Sequence, residues 1–166
     1  GSTESLVAAW SAGSSKLSEN LLNNSDFIEW QKSWFLEQHS GAKATASNTE
    51  YKGKAGLFIE LTQADGTEWH LQLNQRGLKL AEGEHYTVAF EIAAPQERPI
   101  SLSVIQAHDP WENLGLYRAI SAGPERKQYR LTFTATRNDD NARVGFSFGN
   151  QSQAFYVRNF RFYHGA

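Results

Sequence analysis

"WHLQLNQRGLKLAEGEHYTVAFEIAA", residues 69–94, carries apolar residues at alternate positions, first from Leu71 and then at Tyr86, Val88, Phe90 and Ile92. A period of two places every second side chain on one face, the pattern of strands with one buried side. Working outward, strand-like runs recur at short intervals. They are "WFLEQ" (34–38), "GLFIELTQ" (56–63), "PISLSVIQA" (99–107), "QYRLTFTAT" (128–136), "ARVGFSFG" (142–149) and "AFYVRNFRFY" (154–163). "ADGTE" and "NDDN" (138–141) read as polar turns between runs. No stretch offers a helical stripe of useful length. The chain is therefore expected to be all-β, a β-sandwich jelly roll of two antiparallel sheets.

Composition narrows the function classes. At 166 residues, the chain suits one domain with a real core. A formal net charge of -2 argues against nucleic acid as a partner, because phosphate binding needs a basic field. No segment approaches the roughly 18 apolar residues of a membrane span. With no cysteine, disulfides, Cys-ligated zinc and thiol catalysis are excluded. Aromatic residues make up 13%, including 5 Trp and 10 Phe, enough that some are expected to face outward. Residues 1–19 read as a tag remnant (Gly1-Ser2) followed by a linker or loosely docked arm, with Trp10 packing on the domain at 20–166.

Recognisable catalytic and metal-binding motifs are missing from the chain. It lacks a Gly-rich phosphate loop, a Gly-x-Ser-x-Gly elbow and a His-Glu-x-x-His helix, and its five His show no ligand spacing. Glu91 and Glu60 lie on polar strand faces and are the carboxylates to consider for glycosidase chemistry, although Glu is common on such faces.

The face opposite Leu71 and Leu73 poses a sharper question. It carries His70, Gln72 and Asn74 beside Trp69, whereas a merely solvated face favours Thr, Lys and Glu. Uncharged amides donate and accept with less desolvation cost than a charge, and aromatic rings present an apolar face. A solvated strand face and a ligand surface both fit this row.

The order of "NLLNNSDF", an early Trp, the 69–94 stretch, "KQYRLTFTAT", "NARVGFSFG" and "FYVRNFRF" is similar to carbohydrate-binding modules of the family 4/9 (CenC-like) type, over about residues 20–163. The resemblance implies a jelly roll that binds a glycan chain in a concave cleft and catalyses nothing. It also implies a secreted bacterial protein, a covalently attached polysaccharide-degrading domain and a monomer. The expected ligand is a polysaccharide or oligosaccharide of β-glucan, xylan or mannan type. A sugar ring has apolar C–H faces for aromatics and an equatorial belt of hydroxyls for amides and guanidinium groups.

Parity and resemblance together select the expected carbohydrate-binding residues: Trp69, His70, Gln72, Asn74, Gln106, His108, Trp111, Tyr117 and Arg143. Val144, Phe146 and Phe148 inward aim Arg143 and Ser147 outward, and core Leu102 and Val104 do the same for Ser103 and Ile105. Gln106, His108, Trp111 and Tyr117 are expected in a long loop beside the cleft. Trp69 shares the core phase of Leu71, so facing the cleft needs a bulge at the strand start. Trp34 is expected in the core, and Trp30 on either side. No catalytic residue, cofactor or metal is expected. The family's structural calcium uses acids where this chain has Ile28 and Arg158, with Asp26 or Glu29 as possible partners of Arg158.

Overall fold

A computed structural model of the protein describes residues 16–166. Residues 1–15, Trp10 included, lie outside the described residues. Ten strands follow in chain order: β1 (Phe35–Gln38), β2 (Lys43–Tyr51), β3 (Lys54–Gln63), β4 (Leu71–Leu80) and β5 (His85–Ala93), then β6 (Arg98–Gln106), β7 (Asn113–Ala122), β8 (Lys127–Thr134), β9 (Asp139–Ser147) and β10 (Phe155–His164). Among the described residues, the one helical element is a 3-10 turn at Glu68–His70. The strands form two five-stranded antiparallel sheets, ordered β1-β4-β9-β6-β7 and β2-β3-β10-β5-β8. This is the β-sandwich jelly roll that the alternation predicts.

The core fills the space between the sheets. Leu71, Leu73, Val88, Phe90, Val144, Phe146 and Phe148 are buried there with Trp34. Phe90 stacks on Phe160 at 5.3 Å and meets Phe146 edge-on at 5.0 Å, so both sheets share one aromatic cluster. Trp34 lies edge-on to Phe160, and its Nε1 donates to the Asn24 carbonyl at 2.9 Å. Trp30 packs, partly buried, against the same core.

β4 changes parity along its length. Leu71 and Leu73 point inward, yet so do Leu78 and Leu80, and the pairing with β9 shifts between Gln75 and Leu78. Gly77, at φ 90°, supplies the left-handed residue that this shift needs. Gln75 is thereby an inward polar residue. Its amide accepts from the Asn23 N–H and donates to the Asn23 carbonyl, both at 2.9 Å, which satisfies it and ties down the entry loop.

Several expectations need correction. "KATASNTEY" pairs fully with β3 as β2, although its apolar pattern is too weak to show it. Tyr117 sits on strand β7, not in a loop, and Gln106 ends β6. Asp139 to Asn141 of "NDDN" already belong to β9. The last part of the expected arm is also engaged: Ser18 donates to the His164 carbonyl of β10 at 2.9 Å, and Leu21, just beyond the arm, donates to the Phe162 carbonyl at 2.8 Å.

Arg158 does not reach Asp26 or Glu29. Its guanidinium pairs with Glu91 and donates from Nε to the Ala55 carbonyl at 3.1 Å. Glu29 pairs with Lys32, and Asp26 accepts the Ile28 N–H at 3.3 Å. Glu91 is 5% exposed and committed to this ion pair, and both Glu91 and Glu60 belong to the second sheet. These residues do not suit a hard cation, because a fixed guanidinium and an exposed isoleucine stand where carboxylate oxygens would be needed. Melting curves in EDTA and in millimolar calcium are accordingly expected to coincide. A calcium-dependent rise of several degrees would overturn this.

Candidate glycan-binding cleft

The open face of the first sheet carries the candidate site, and strand register explains its shape. One row across the sheet reads Glu37, Gln72, Ser147 and Ser101; the next reads Phe35, Asn74, Gly145, Ser103 and Tyr117. In these two rows small residues occupy the central strands β9 and β6, while larger ones stand toward the edges. The sheet surface is therefore low in the middle. A Cβ on Gly145 would lie 2.2 Å from the Leu73 carbonyl oxygen, so the floor admits only glycine there.

A cleft of about 500 Å³ results, lined by Glu37, His39, Trp69, Gln72, Ile105, Trp111 and Arg143. Trp69 and Trp111 stand toward opposite ends of the strands, Trp69 beside the row of Gln72 and Trp111 beside Arg143. On β9 these rows are four residues apart, or about 13 Å at ordinary strand rise. Trp69 lies on the 3-10 turn, which, rather than a bulge, frees it from strand parity; it is 52% exposed and packs against His39 at 5.2 Å. Trp111 is 48% exposed and adopts φ 64° on the β6–β7 loop. Its N–H donates to the His108 carbonyl at 2.8 Å.

A hydrogen-bonded floor connects the two indoles. The Arg143 guanidinium lies 5.2 Å from the Trp111 ring centre, a cation–π arrangement. It donates to Glu37 at 2.6 Å and to Gln72 Oε1 at 3.0 Å, and Gln72 Nε2 donates in turn to the Trp69 carbonyl at 2.9 Å. Glu37 Oε1 also accepts from Arg76 at 2.9 Å and Asn74 at 3.2 Å, while its Oε2 lies 3.3 Å from His39 Nε2. Burial pushes the Glu37 carboxyl up, but Arg143, Asn74, His39 and Arg76 together outweigh it and hold the carboxyl below its ordinary range. Burial likewise pulls Arg143 down from its usual value, against the opposing pull of Glu37.

This chemistry suits binding. A glycosidase needs two carboxyl groups across the bond, one of them protonated near neutral pH. Glu37 is the cleft-lining carboxylate among the described residues, and its arginine partners favour the charged form.

The structure distributes the sequence-selected residues over four places. Trp69, Gln72, Trp111 and Arg143 line the cleft, with Asn74 buried in its floor and bonded to Glu37. Tyr117, 59% exposed, donates to Glu68 at 2.6 Å; Ser101 joins them, donating to Glu68 at 2.8 Å and lying 3.1 Å from the Tyr117 hydroxyl. His70 turns to Asp65. Gln106 and His108 line a neighbouring depression of about 420 Å³ with Asp139, Asp140 and Asn141. Glu37, His39 and Glu68 join these residues, although none of them stands out in the local sequence. Glu37 has the outward parity of "WFLEQ", but only register shows that it meets Gln72 and Arg143.

The Trp111 loop is fastened through Asp139. That carboxylate accepts from Gln106 Nε2 at 3.2 Å and the Asn141 N–H at 2.8 Å, and it lies 2.8 Å from His108 Nε2. Gln106 Oε1 then accepts the Glu112 N–H at 3.0 Å. The Asp109 carbonyl and the Asp139 carboxylate beside His108 raise its pKa above the ordinary 6.5. A raised folded value means that protonated His108 supports this loop below pH 6.5, and that support fades as pH rises through the folded value. An NMR titration of His108 is expected to give a midpoint above 6.5, falling toward it in Asp139→Asn. An equal midpoint in both proteins would contradict the pairing.

Comparisons with known proteins identify the family and the fold. The profile of the family described as "Carbohydrate binding domain" matches residues 19–153. The chain belongs to family 4/9 of the carbohydrate-binding modules. A CBM4 structure is similar to this module at TM-score 0.71 and 24% identity, covering 84% of this chain and 97% of that one. The second N-terminal cellulose-binding domain of β-1,4-glucanase C from Cellulomonas fimi aligns at TM-score 0.66 and 18% identity, covering 92% and 99%. A family 11 module from Clostridium thermocellum, in complex with a β-1,3-1,4-mixed-linked tetrasaccharide, aligns at 0.58 and 16%, covering 92% and 98%. At these identities the structural likeness speaks for the fold. No curated protein matches the chain. Among the described residues, no helix is long and apolar enough to cross a membrane.

Proposed function

We propose that this module binds a neutral polysaccharide chain of β-glucan, xylan or mannan type in the cleft of the first sheet. On this reading it is part of a secreted protein and acts as a monomer, holding an attached glycoside hydrolase to its substrate. The carrying observation is the pair of half-exposed indoles, Trp69 and Trp111, joined by the Arg143–Gln72 floor. Exposed indoles present faces on which sugar rings stack, and the polar groups between them suit hydroxyls. A floor already hydrogen-bonded loses little freedom when ligand arrives, which favours affinity. Trp111 keeps a left-handed backbone that a bulky residue adopts only at a cost, and such outliers concentrate at binding sites. The cellulose-binding domain and the module bound to a mixed-linked glucan make β-glucans the first ligands to test.

Affinity electrophoresis and calorimetry against β-1,4-glucan, mixed-linkage glucan, xylan and mannan test the reading. Retention on at least one, without release of reducing sugar, is expected. Retention on none would refute it.

A further inference from the structure

The second sheet carries a different surface on its outer side. Strand register places Arg161 of β10 opposite Ala89 of β5, and Ala89 opposite Arg130 of β8. Directly opposed residues on antiparallel strands share a face, so two arginines flank a single methyl group there, their Cα atoms about 10 Å apart. The adjoining row places Tyr163, Thr87 and Thr132 side by side. Arg161, Ala89, Arg130, Tyr163 and Thr87, together with Gln128 and Leu17, line a concavity of about 310 Å³.

Among the described residues, charge on this face is not balanced locally. Glu91, one row along β5, is taken by Arg158. Arg161 donates to the Asn159 carbonyl at 3.4 Å and to the Tyr163 hydroxyl at 3.1 Å, and neither acceptor is charged. Among the described residues, Arg130 and Arg161 have no carboxylate partner. The Thr87 hydroxyl donates to the Gly165 carbonyl at 2.7 Å and is already used. Two arginines lining one concavity on either side of a small residue suit a planar oxyanion, which a guanidinium can bind in a bidentate manner. The nearby amide of Gln128 and ring of Tyr163 suit the hydroxyls and the C–H face of a sugar.

The geometry points to a second binding site, on the sheet opposite the cleft, for a carboxylate-bearing sugar such as a uronic acid residue of an acidic polysaccharide. The site shares no residue with the cleft, so it stands whether or not the cleft binds neutral glycan. Where both act, one module engages a neutral chain on one sheet and an acidic chain on the other.

The test uses the whole chain with a galacturonate oligosaccharide and a neutral β-1,4-glucan oligosaccharide, followed by NMR at low salt. The acidic ligand is expected to shift amides of β5, β8 and β10 and to bind more weakly as salt rises. Arg130→Ala with Arg161→Ala should weaken it by about tenfold or more, with melting temperature nearly unchanged. Trp111→Ala should leave the acidic ligand's affinity as it was. Absence of shifts on the second sheet, or binding insensitive to the arginine pair, would overturn the proposal. Equal competition by free acetate or by inorganic phosphate would also overturn it, by showing a charge patch without sugar recognition.

Discussion

Trp111→Ala is expected to weaken glycan binding by about 1–3 kcal/mol, a factor of roughly 5 to 150. The indole is half exposed in the free protein and packs over Arg143, so its remaining face is available to a sugar ring. Its removal leaves the core untouched, and the melting temperature should move by little. Trp69→Ala should behave in the same way, because Trp69 rests on a surface turn against His39 and His70 rather than in the core. Calorimetry on each variant, alongside a thermal melt, separates the two effects. A Trp69→Ala protein that loses several kcal/mol of stability yet binds sugar normally would show that the indole belongs to the fold rather than to the site.

Glu37→Ala should damage stability and binding together. Arg143 has a side chain 7% exposed, and Glu37 is the carboxylate that compensates it. Breaking a fully buried pair costs about 3–5 kcal/mol; the residual exposure of Glu37 reduces this to about 2–4 kcal/mol. Loss of the anchor also frees the Arg143 guanidinium from its position beneath Trp111, so affinity should fall even where the variant remains folded. Chemical denaturation and calorimetry at pH 7 are the measurements, and an unchanged denaturation midpoint would contradict the account. Acid should imitate the substitution. The folded pKa of Glu37 lies below its ordinary 4.5, so its contribution is complete above that value and disappears as pH falls through the folded value. In Glu37→Ala, that part of the acid sensitivity should be missing.

Alternation alone settled the class of fold. The apolar phases of 71–73, 86–92 and 144–148 oblige those segments to be strands with one buried face, and the structure buries the residues they name. The outward aim of Gln72 and Arg143 follows from the same parity and requires no tertiary information. Elsewhere local sequence was insufficient. β2 lies at the edge of its sheet, where little burial is required, so "KATASNTEY" shows no alternation to read. Trp69 escaped parity because a 3-10 turn interrupts the period just before β4. The partners of charged residues were least visible: Arg158 meets Glu91 across 67 positions, and Arg143 meets Glu37 across 106. Sequence fixes which face a strand residue occupies, because that depends only on the period of the backbone. Which residues meet across a sheet depends on strand order and register, and these are set by packing the two sheets around one core.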